Sequence, residues 1–308
     1  MQPDQPLVSI LMNCYNGEKY LRPALDSVVA QTYPDWELIF WDNQSSDRSA
    51  EICKSYGDPR IRYFYAAEHT ELGAARILAF QQVRGELVAI LDADDIAHPE
   101  RLARQVAFLR EHPATALVGS WARFIDENGK SFAEFKPPVD ERELHDCLGW
   151  IHPIVHSSTM YCRAAAVRVG GYSADLIYAS DLGLILALAQ HFRIAMISEF
   201  LCQFRLLSSS MTRSRRYHIV VAREGLALFQ RAAETLPLSR TARRLNRRAL
   251  AGVEIALGVA TLRSGSVLQG MKMVLHGLWR DPSVLWLNGR VRKFFGGRSG
   301  FLEYSRES

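Results

Sequence analysis

An α/β fold, a mostly parallel sheet flanked by helices and followed by an all-helical extension, is what this sequence predicts. Three observations carry that expectation. Short apolar runs alternate with helical patterns through the first 125 residues. Three of those runs end in polar residues: Asn13-Cys14-Tyr15-Asn16, Asp42-Asn43 and Asp92-Ala93-Asp94-Asp95. From about Tyr217 onward the pattern is wholly helical. Strands alternating with helices of this length imply βαβ units with right-handed crossovers. Ligands of such sheets sit beyond the carboxyl ends of the strands, so the three polar ends are expected to share one crevice.

Taken in order, Leu7 to Asn13 is an apolar run that reads as the first strand. Asn16-Gly17 turns the chain into a helix with Leu21, Leu25, Val28 and Val29 on one face. Glu37 to Trp41 is the second strand, and Ser46 or Asp47 caps a helix that stops near Gly57. Ile61 to Tyr65 is the third strand, Gly73 to Val83 a helix ended by Gly85, and Leu87 to Leu91 the fourth strand. A helix from Pro99 to about Arg110 follows, capped by His98 or Asp95 with Pro99 at its first position. Ala116 to Ile125 is the fifth strand, and Asp126-Glu127-Asn128-Gly129-Lys130 is a hairpin turn. Thr159 to Cys162 is a short strand, Ala164 to Val169 a helical turn, Ser180 to His191 an apolar helix, and Arg193 to Leu206 strand-rich. The tail breaks near Pro237, Gly265 and Pro282.

With 308 residues, 48% hydrophobic and 23% charged, the chain has room for a large core in one or two domains. The net charge of +4 is unevenly spread: residues 211–308 hold 18 Lys or Arg against 6 Asp or Glu, and the remainder 19 against 27. An acidic body with a basic tail points to an anionic partner for the tail. Five scattered cysteines without a C-x-x-C pair fit a reducing cytoplasm better than a disulfide framework. A strand within the first few residues leaves no space for a signal peptide, and no apolar run approaches the ~20 residues that span a bilayer. The expected location is therefore cytoplasmic.

The acidic cluster carries the chemistry. Leu87 to Leu91 leads straight into Asp92, Asp94 and Asp95. Two like charges roughly 4 Å apart cost about 4 kcal/mol at an effective dielectric near 20. Solvent, a raised pKa or a divalent cation must relieve that repulsion. A helix cap accounts for Asp95 but not for Asp92 or Asp94.

Several stretches, in order, resemble the family 2 glycosyltransferases, inverting enzymes of the GT-A fold that build bacterial surface polysaccharides. Val8 to Gly17 resembles the opening strand and turn, Ser27 to Tyr33 the stretch before the second strand, and Trp41 to Asp47 the acidic turn. Leu72-Gly73-Ala74-Ala75-Arg76 resembles the helix start that faces the nucleotide, and Asp92-Ala93-Asp94 the D-x-D metal motif. Ser180-Asp181 stands where the family has Glu-Asp, and Arg205-Leu206-Leu207 where it has Arg-x-His. The resemblance covers roughly residues 6 to 210. It implies a GT-A catalytic domain over residues 1–210, Rossmann-like in its sheet, and a basic helical extension over 211–308.

The same resemblance implies roles. Tyr15 stacks on the base, Asp42 and Asn43 accept hydrogen bonds from base or ribose, Arg76 lies against base or phosphates, and Asp92 contacts the ribose. Asp94 and Asp95 hold Mn²⁺ or Mg²⁺ on the diphosphate. Asp181 is the general base, and His156, Ser157 and Ser180 line the acceptor side. Because Asn43 replaces the acid that commonly reads uracil, both UDP- and dTDP-sugars are expected donors. The acceptor is a glycan or a lipid-linked glycan, and no nucleic-acid partner is expected. Arg240 to Arg248 with five arginines, Leu278, Trp279, Leu285, Trp286, Leu287 and Val291 to Phe295 suit a peripheral contact with an anionic membrane. Two other readings compete. A sugar nucleotidyltransferase needs a Gly-rich basic loop after the first strand, where this chain has Asn13 to Gly17. A non-catalytic nucleotide-sugar-binding scaffold would not need Asp94 and Asp181.

Overall fold

Parallel strands buried on both faces need continuous apolar runs, and the computed structural model, which describes residues 5–207 and 215–287, builds its sheet from them. Strands β1 (Val8–Cys14), β2 (Trp36–Asp42), β3 (Ile61–Tyr65) and β4 (Leu87–Ile90) form its parallel half. All seven residues of β2 are buried. Leu38 and Phe40 are fully buried, and side chains of that size stabilise by about 1.5–3 kcal/mol each. Between them run α1 (Glu18–Val29), α2 (Ser49–Lys54) and α3 (Leu72–Phe80). Helix α1 buries Leu21, Ala24, Leu25 and Val28, one face at helical spacing.

β1 is the spine of this half. It pairs in parallel with β2, from Val8 opposite Trp36 to Cys14 opposite Asp42, and with β4, from Val8 opposite Leu87 to Leu11 opposite Ile90. The carboxyl ends of β1, β2 and β4 therefore lie side by side on one edge.

The other half departs from a simple βαβ series. After β5 (Ile96–Ala97) and α4 (Arg101–Glu111) come β6 (Thr115–Ile125) and β7 (Ser131–Phe135), joined as an antiparallel hairpin by the 126–130 turn. After α5 (Glu141–Leu148) follow β8 (Met160–Cys162), α6 (Arg163–Arg168), α7 (Ser180–Ala189) and β9 (Arg193–Arg205). β8 inserts antiparallel between β4 and β6, and β6 pairs in parallel with β9. The strand order is β3-β2-β1-β4-β8-β6-β9-β5, with β7 beside β6.

Helix α4 starts two residues later than its sequence predicts, with Glu100 rather than His98 or Asp95 at the N-cap. His98 Nδ1 accepts the Glu100 N–H at 3.3 Å, while Asp95 Oδ1 accepts the backbone N–H of Arg205 at 2.8 Å and is not available as a cap.

The chain divides into two units. Met1–Glu141 with Ile154–Leu207 holds the sheet, and Arg142–Pro153 with Ser208–Ser308 holds the helical part. The segment 142–153, which its sequence assigns to the α/β part, thus belongs with the helices. Within the helical unit, α8 (Arg215–Thr235), α9 (Arg240–Arg263) and α10 (Val267–Arg280) break where Pro237 and Gly265 predict. Ser239 caps α9 by accepting from Ala242 N at 3.1 Å. Asn246 Nδ2 donates to the Gly149 carbonyl at 2.5 Å, and Ser239 N–H to Asp146 Oδ1 at 2.8 Å. Among the described residues no helix is long and apolar enough to cross a membrane. Leu285 to Leu287 lie in a 3₁₀ turn whose side chains are not described, and Val291 to Phe295 lie outside the described residues.

A buried cation holds the carboxyl end of β4 in place. Arg101, 1% exposed, donates through Nη2 to Ile90 O at 2.8 Å and Thr159 O at 2.9 Å, and through Nε to Gln105 at 3.1 Å. Burial lowers its pKa to about 10. Replacing it by Met leaves the Ile90 carbonyl and Gln105 Oε1 short of a donor, at about 1–3 kcal/mol each, while Thr159 O keeps the Ile90 N–H at 3.0 Å. Arg101→Met is therefore expected to lower Tm by roughly 4–24 °C, given ~2–4 °C per kcal/mol in a domain of this size. A calorimetric Tm equal to that of the parent chain would contradict the assignment.

Candidate active site

Two loops are stitched together where β1 and β2 end. Asn16 (φ 51°) and Gln44 (φ 67°) adopt left-handed backbone, a conformation that non-glycine residues take at local cost. Cross-loop hydrogen bonds hold them there. Asn16 N–H donates to Ser45 Oγ at 3.0 Å, and Ser46 N–H to Asn16 Oδ1 at 2.8 Å. Gly17 N–H donates to Ser49 Oγ at 3.0 Å.

Asp42 lies beneath this turn rather than on its surface. It is 0% exposed, and its two oxygens accept from Ser45 N–H at 2.7 Å and Tyr63 OH at 2.6 Å. Asn43 is buried as well. Its Nδ2 donates to Thr70 O at 2.8 Å, and its Oδ1 accepts from Thr70 Oγ1 at 3.1 Å. Both residues, expected as open acceptors, are engaged within the protein: Asp42 ties its own turn to β3, and Asn43 holds the loop after β3.

That loop brings in a residue the sequence reading missed. His69 Nδ1 is 2.9 Å from the Asn43 carbonyl. A carbonyl only accepts, so the bond places the proton on Nδ1 and leaves Nε2 an acceptor in the neutral ring. The His69 ring packs on Tyr15, with centroids 4.3 Å apart. Tyr15 is 55% exposed. The two rings form an open aromatic surface at the end of β1. No sequence signal marks His69, because its partners lie far away along the chain.

The second cluster lies at the end of β4. Asp92 N–H donates to Ser157 Oγ at 3.1 Å. Asp92 and Asp94 are partly open, whereas Asp95 is fully buried. Burial raises the pKa of Asp92, opposed by Arg76 and reinforced by Asp181. Burial and the Asp92 charge raise Asp94 to about 6. Asp95 is pushed well up by burial and by its two acidic neighbours. Arg205 braces the turn: Nε donates to Asp94 O at 2.8 Å and Nη1 to Asp126 O at 2.9 Å.

Arg76, expected against a base or phosphate, sits inside this cluster at 5% exposure. Its Nη1 donates to Ser180 Oγ at 2.8 Å and lies 3.8 Å from Asp181 Oδ1. Its Nη2 is 3.1 Å from His156 Nδ1. His156 Nε2 in turn lies 3.4 Å from Tyr172 OH, which is 3.3 Å from Tyr161 OH. Asp181 stands in the first turn of α7, where a carboxylate faces the positive helix end. Helix α3 reaches this place through Gly73. Its N–H donates to Ile177 O at 2.9 Å, and a methyl there would run into the Leu176 carbonyl. The structure thus brings Arg76, Asp92, Asp181, His156, Ser157 and Ser180 together, with Asp94 at their edge.

Among the described residues no group of three or more His, Cys, Asp or Glu side chains is arranged to hold a metal ion. The donors that exist are hard oxygens: the part-open carboxylate of Asp94, and Asp95 Oδ2, a buried atom with no hydrogen-bond partner among the described residues. Mg²⁺-type sites use one or two carboxylates and complete their shell with phosphate and water. That is the set these residues fit.

The sequence pattern described as glycosyl transferase family 2 matches residues 9–170 of this geometry. The chain belongs to that family. This family 2 glycosyltransferase is 36% identical over 209 residues to the uncharacterized glycosyltransferase MJ1057 of Methanocaldococcus jannaschii, a match covering 66% of this chain and 72% of the relative. Among solved structures it is similar to S. aureus TarS 1-349 in complex with UDP-GlcNAc, with a TM-score of 0.66 and 17% identity over 97% of this chain and 89% of that one. It is also similar to the mannosyltransferase PcManGT from Pyrobaculum calidifontis in complex with GDP-Man and Mn²⁺, with a TM-score of 0.59 and 19% identity over 98% and 87%. At these identities the likeness to solved structures is one of fold, and the fold of this glycosyltransferase is the GT-A fold.

Removing the cation at the centre of the cluster tests its electrostatics. In Arg76→Met the charges of Asp92 and Asp181 lose their counter-ion, and breaking a buried pair costs about 3–5 kcal/mol. The loss is greatest where the carboxylates are ionised. It shrinks as pH falls through the raised range in which Asp92 takes up its proton and no longer needs the cation. Thermal denaturation is expected to show a larger drop in Tm at pH 8 than at pH 5; equal drops would refute the pairing.

Proposed function

We propose that this glycosyltransferase moves a sugar, with inversion, from a UDP- or dTDP-sugar to a hydroxyl of a glycan or lipid-linked acceptor in bacterial surface polysaccharide synthesis. The observation that carries the reading is the meeting of Asp92, Arg76 and Asp181 in one cluster, with Asp94 beside Asp92. It sets a donor-phosphate side at the end of β4 against a base side at the start of α7.

Asp181 is the general base. It takes the proton from the acceptor hydroxyl as that oxygen forms its bond to the anomeric carbon. On the opposite face the bond from that carbon to the diphosphate oxygen breaks, and its electron pair leaves with the nucleoside diphosphate. Arg76 orients Asp181 and Ser180 and keeps a cation beside both carboxylates. Tyr15 and His69 form the platform for the base, since an aromatic face accepts any base by stacking. Asp42 and Asn43 shape that platform through the loops they hold. Asp92 faces the ribose, and Ser157, which receives its N–H, sets the height of that carboxylate. His156 and Ser180 reach the acceptor side through Arg76. Asp94, with Asp95, would hold Mn²⁺ or Mg²⁺. When bound, such a cation offsets the negative charge that grows on the departing diphosphate.

A lipid-linked acceptor is presented at the membrane surface. The basic segment 211–308 supports a peripheral position on the inner face of the cell membrane.

Two measurements test the reading. Thermal stabilisation by UDP, dTDP, GDP and CMP, each with and without Mn²⁺, is expected to show a metal-dependent shift for a pyrimidine nucleoside diphosphate. Asp181→Asn is expected to lower kcat by roughly 10²–10⁴-fold while that shift persists. Turnover equal to the parent enzyme would exclude Asp181 as the base.

A further inference from the structure

Helix α10 packs on α9 through glycines. A methyl on Gly258 would come within 2.7 Å of Val274, one on Gly270 within 2.6 Å of Leu262, and one on Gly277 within 2.8 Å of the Ala251 carbonyl. With the two backbones this close, the inner side of α10 accommodates little beyond hydrogen at Gly270 and Gly277. Large apolar side chains stand on the other side. Leu268, Met271, Leu275 and Trp279 are 77%, 52%, 61% and 82% exposed. Their spacing of three, four and four residues draws a single stripe along the helix.

The formal charges beside the stripe, Lys272 and Arg280, have one sign. Lys272, His276 and Arg280 follow one another at four-residue intervals along its flank. Helix α10 contains no acidic residue, and between Arg240 and Arg280 the one carboxylate is Glu254. Glu254 is 5% exposed and lies 2.8 Å from Arg280 and 3.1 Å from His276. Arg243, Arg244, Arg247 and Arg263 are exposed. The α9–α10 hairpin therefore presents apolar side chains and cations without an exposed carboxylate.

That combination selects the occupant. A second copy offering the same face would set cations against cations. An anionic bilayer offers an apolar layer for the stripe and phosphates for its flank. The geometry points to α10 as a helix that lies in the plane of an anionic phospholipid surface, with Leu268, Met271, Leu275 and Trp279 at the acyl boundary and Lys272 among the headgroups. This assignment deepens the lipid-linked acceptor reading and rests on it.

The test uses the full chain with vesicles of phosphatidylcholine alone or mixed with phosphatidylglycerol. Cosedimentation is expected with the anionic vesicles only, and it weakens at high salt. The double substitution Leu275→Ser, Trp279→Ser is expected to weaken binding by a factor on the order of ten or more, from the apolar area it removes. Its Tm should match the parent, since both side chains already face solvent. Four results would overturn the assignment: no cosedimentation, equal binding by the double variant, a dimer in light scattering that the double variant dissolves, or a marked fall in its Tm. The pyrimidine-nucleotide shift is followed in the same samples. Stripe-dependent vesicle binding without any nucleotide shift supports the lipid surface and counts against the donor reading alone. A nucleotide shift with no vesicle binding overturns the lipid surface and leaves donor recognition standing.

Discussion

One buried guanidinium organises the end of β4. Arg76 faces Asp92 and Asp181 and binds Ser180 and His156, so it joins helix α3, the turn at 156–158 and the start of α7. Two carboxylates gathered in so enclosed a space repel by several kcal/mol at ~4 Å. A planar cation with several donors in a fixed fork satisfies both charge and geometry, which a lysine ammonium would not. The sheet order makes the arrangement possible. β8 lies against β4, so the 156–158 turn arrives just where the acidic run begins.

Two further arginines extend the same principle. Arg101 holds the last carbonyl of β4 from inside, and Arg205 holds the acidic turn from the side of β9. Its guanidinium also lies 4.6 Å from the Tyr20 ring on α1. Asp95 completes the frame by accepting the Arg205 N–H. The acidic run thus separates into a buried member that fixes the turn and two part-open members, Asp92 and Asp94. Carboxylates three residues apart in sequence acquire different chemistry from burial first and from their charged neighbours second.

The parallel half of the fold was legible because its signals are local. β1 to β4 are short apolar runs bounded by turn residues, and α9 and α10 are set off by Pro237 and Gly265. β5 and β8, of two and three residues, carry too little periodicity to declare an antiparallel partner. Their pairing is decided by distant chain, as with Ala89 opposite Met160. The site divides the same way. Asp92, Asp94 and Asp181 announce themselves as carboxylates at strand and helix ends. His69 and Tyr63 do not, because each matters only through a partner more than twenty residues away. Arg76 was visible as a helix-start residue expected against a base or phosphate, but its burial, and hence its carboxylate partners, could not be read from the helix that carries it.

The division of the chain into two units has a consequence for how they can be separated. Residues 142–153 are covalently part of the first two thirds of the chain but physically part of the helical unit. Gly149 packs against Leu238 so closely that a methyl would collide with it, and Asp146 and Gly149 bond to Ser239 and Asn246. A cut after residue 210 would therefore not release an intact α/β enzyme. It would take from residues 142–153 the Leu238, Ser239 and Asn246 partners of Asp146 and Gly149. The helical unit is woven into the sequence rather than appended to it, because one of its segments is spliced between two pieces of the sheet unit.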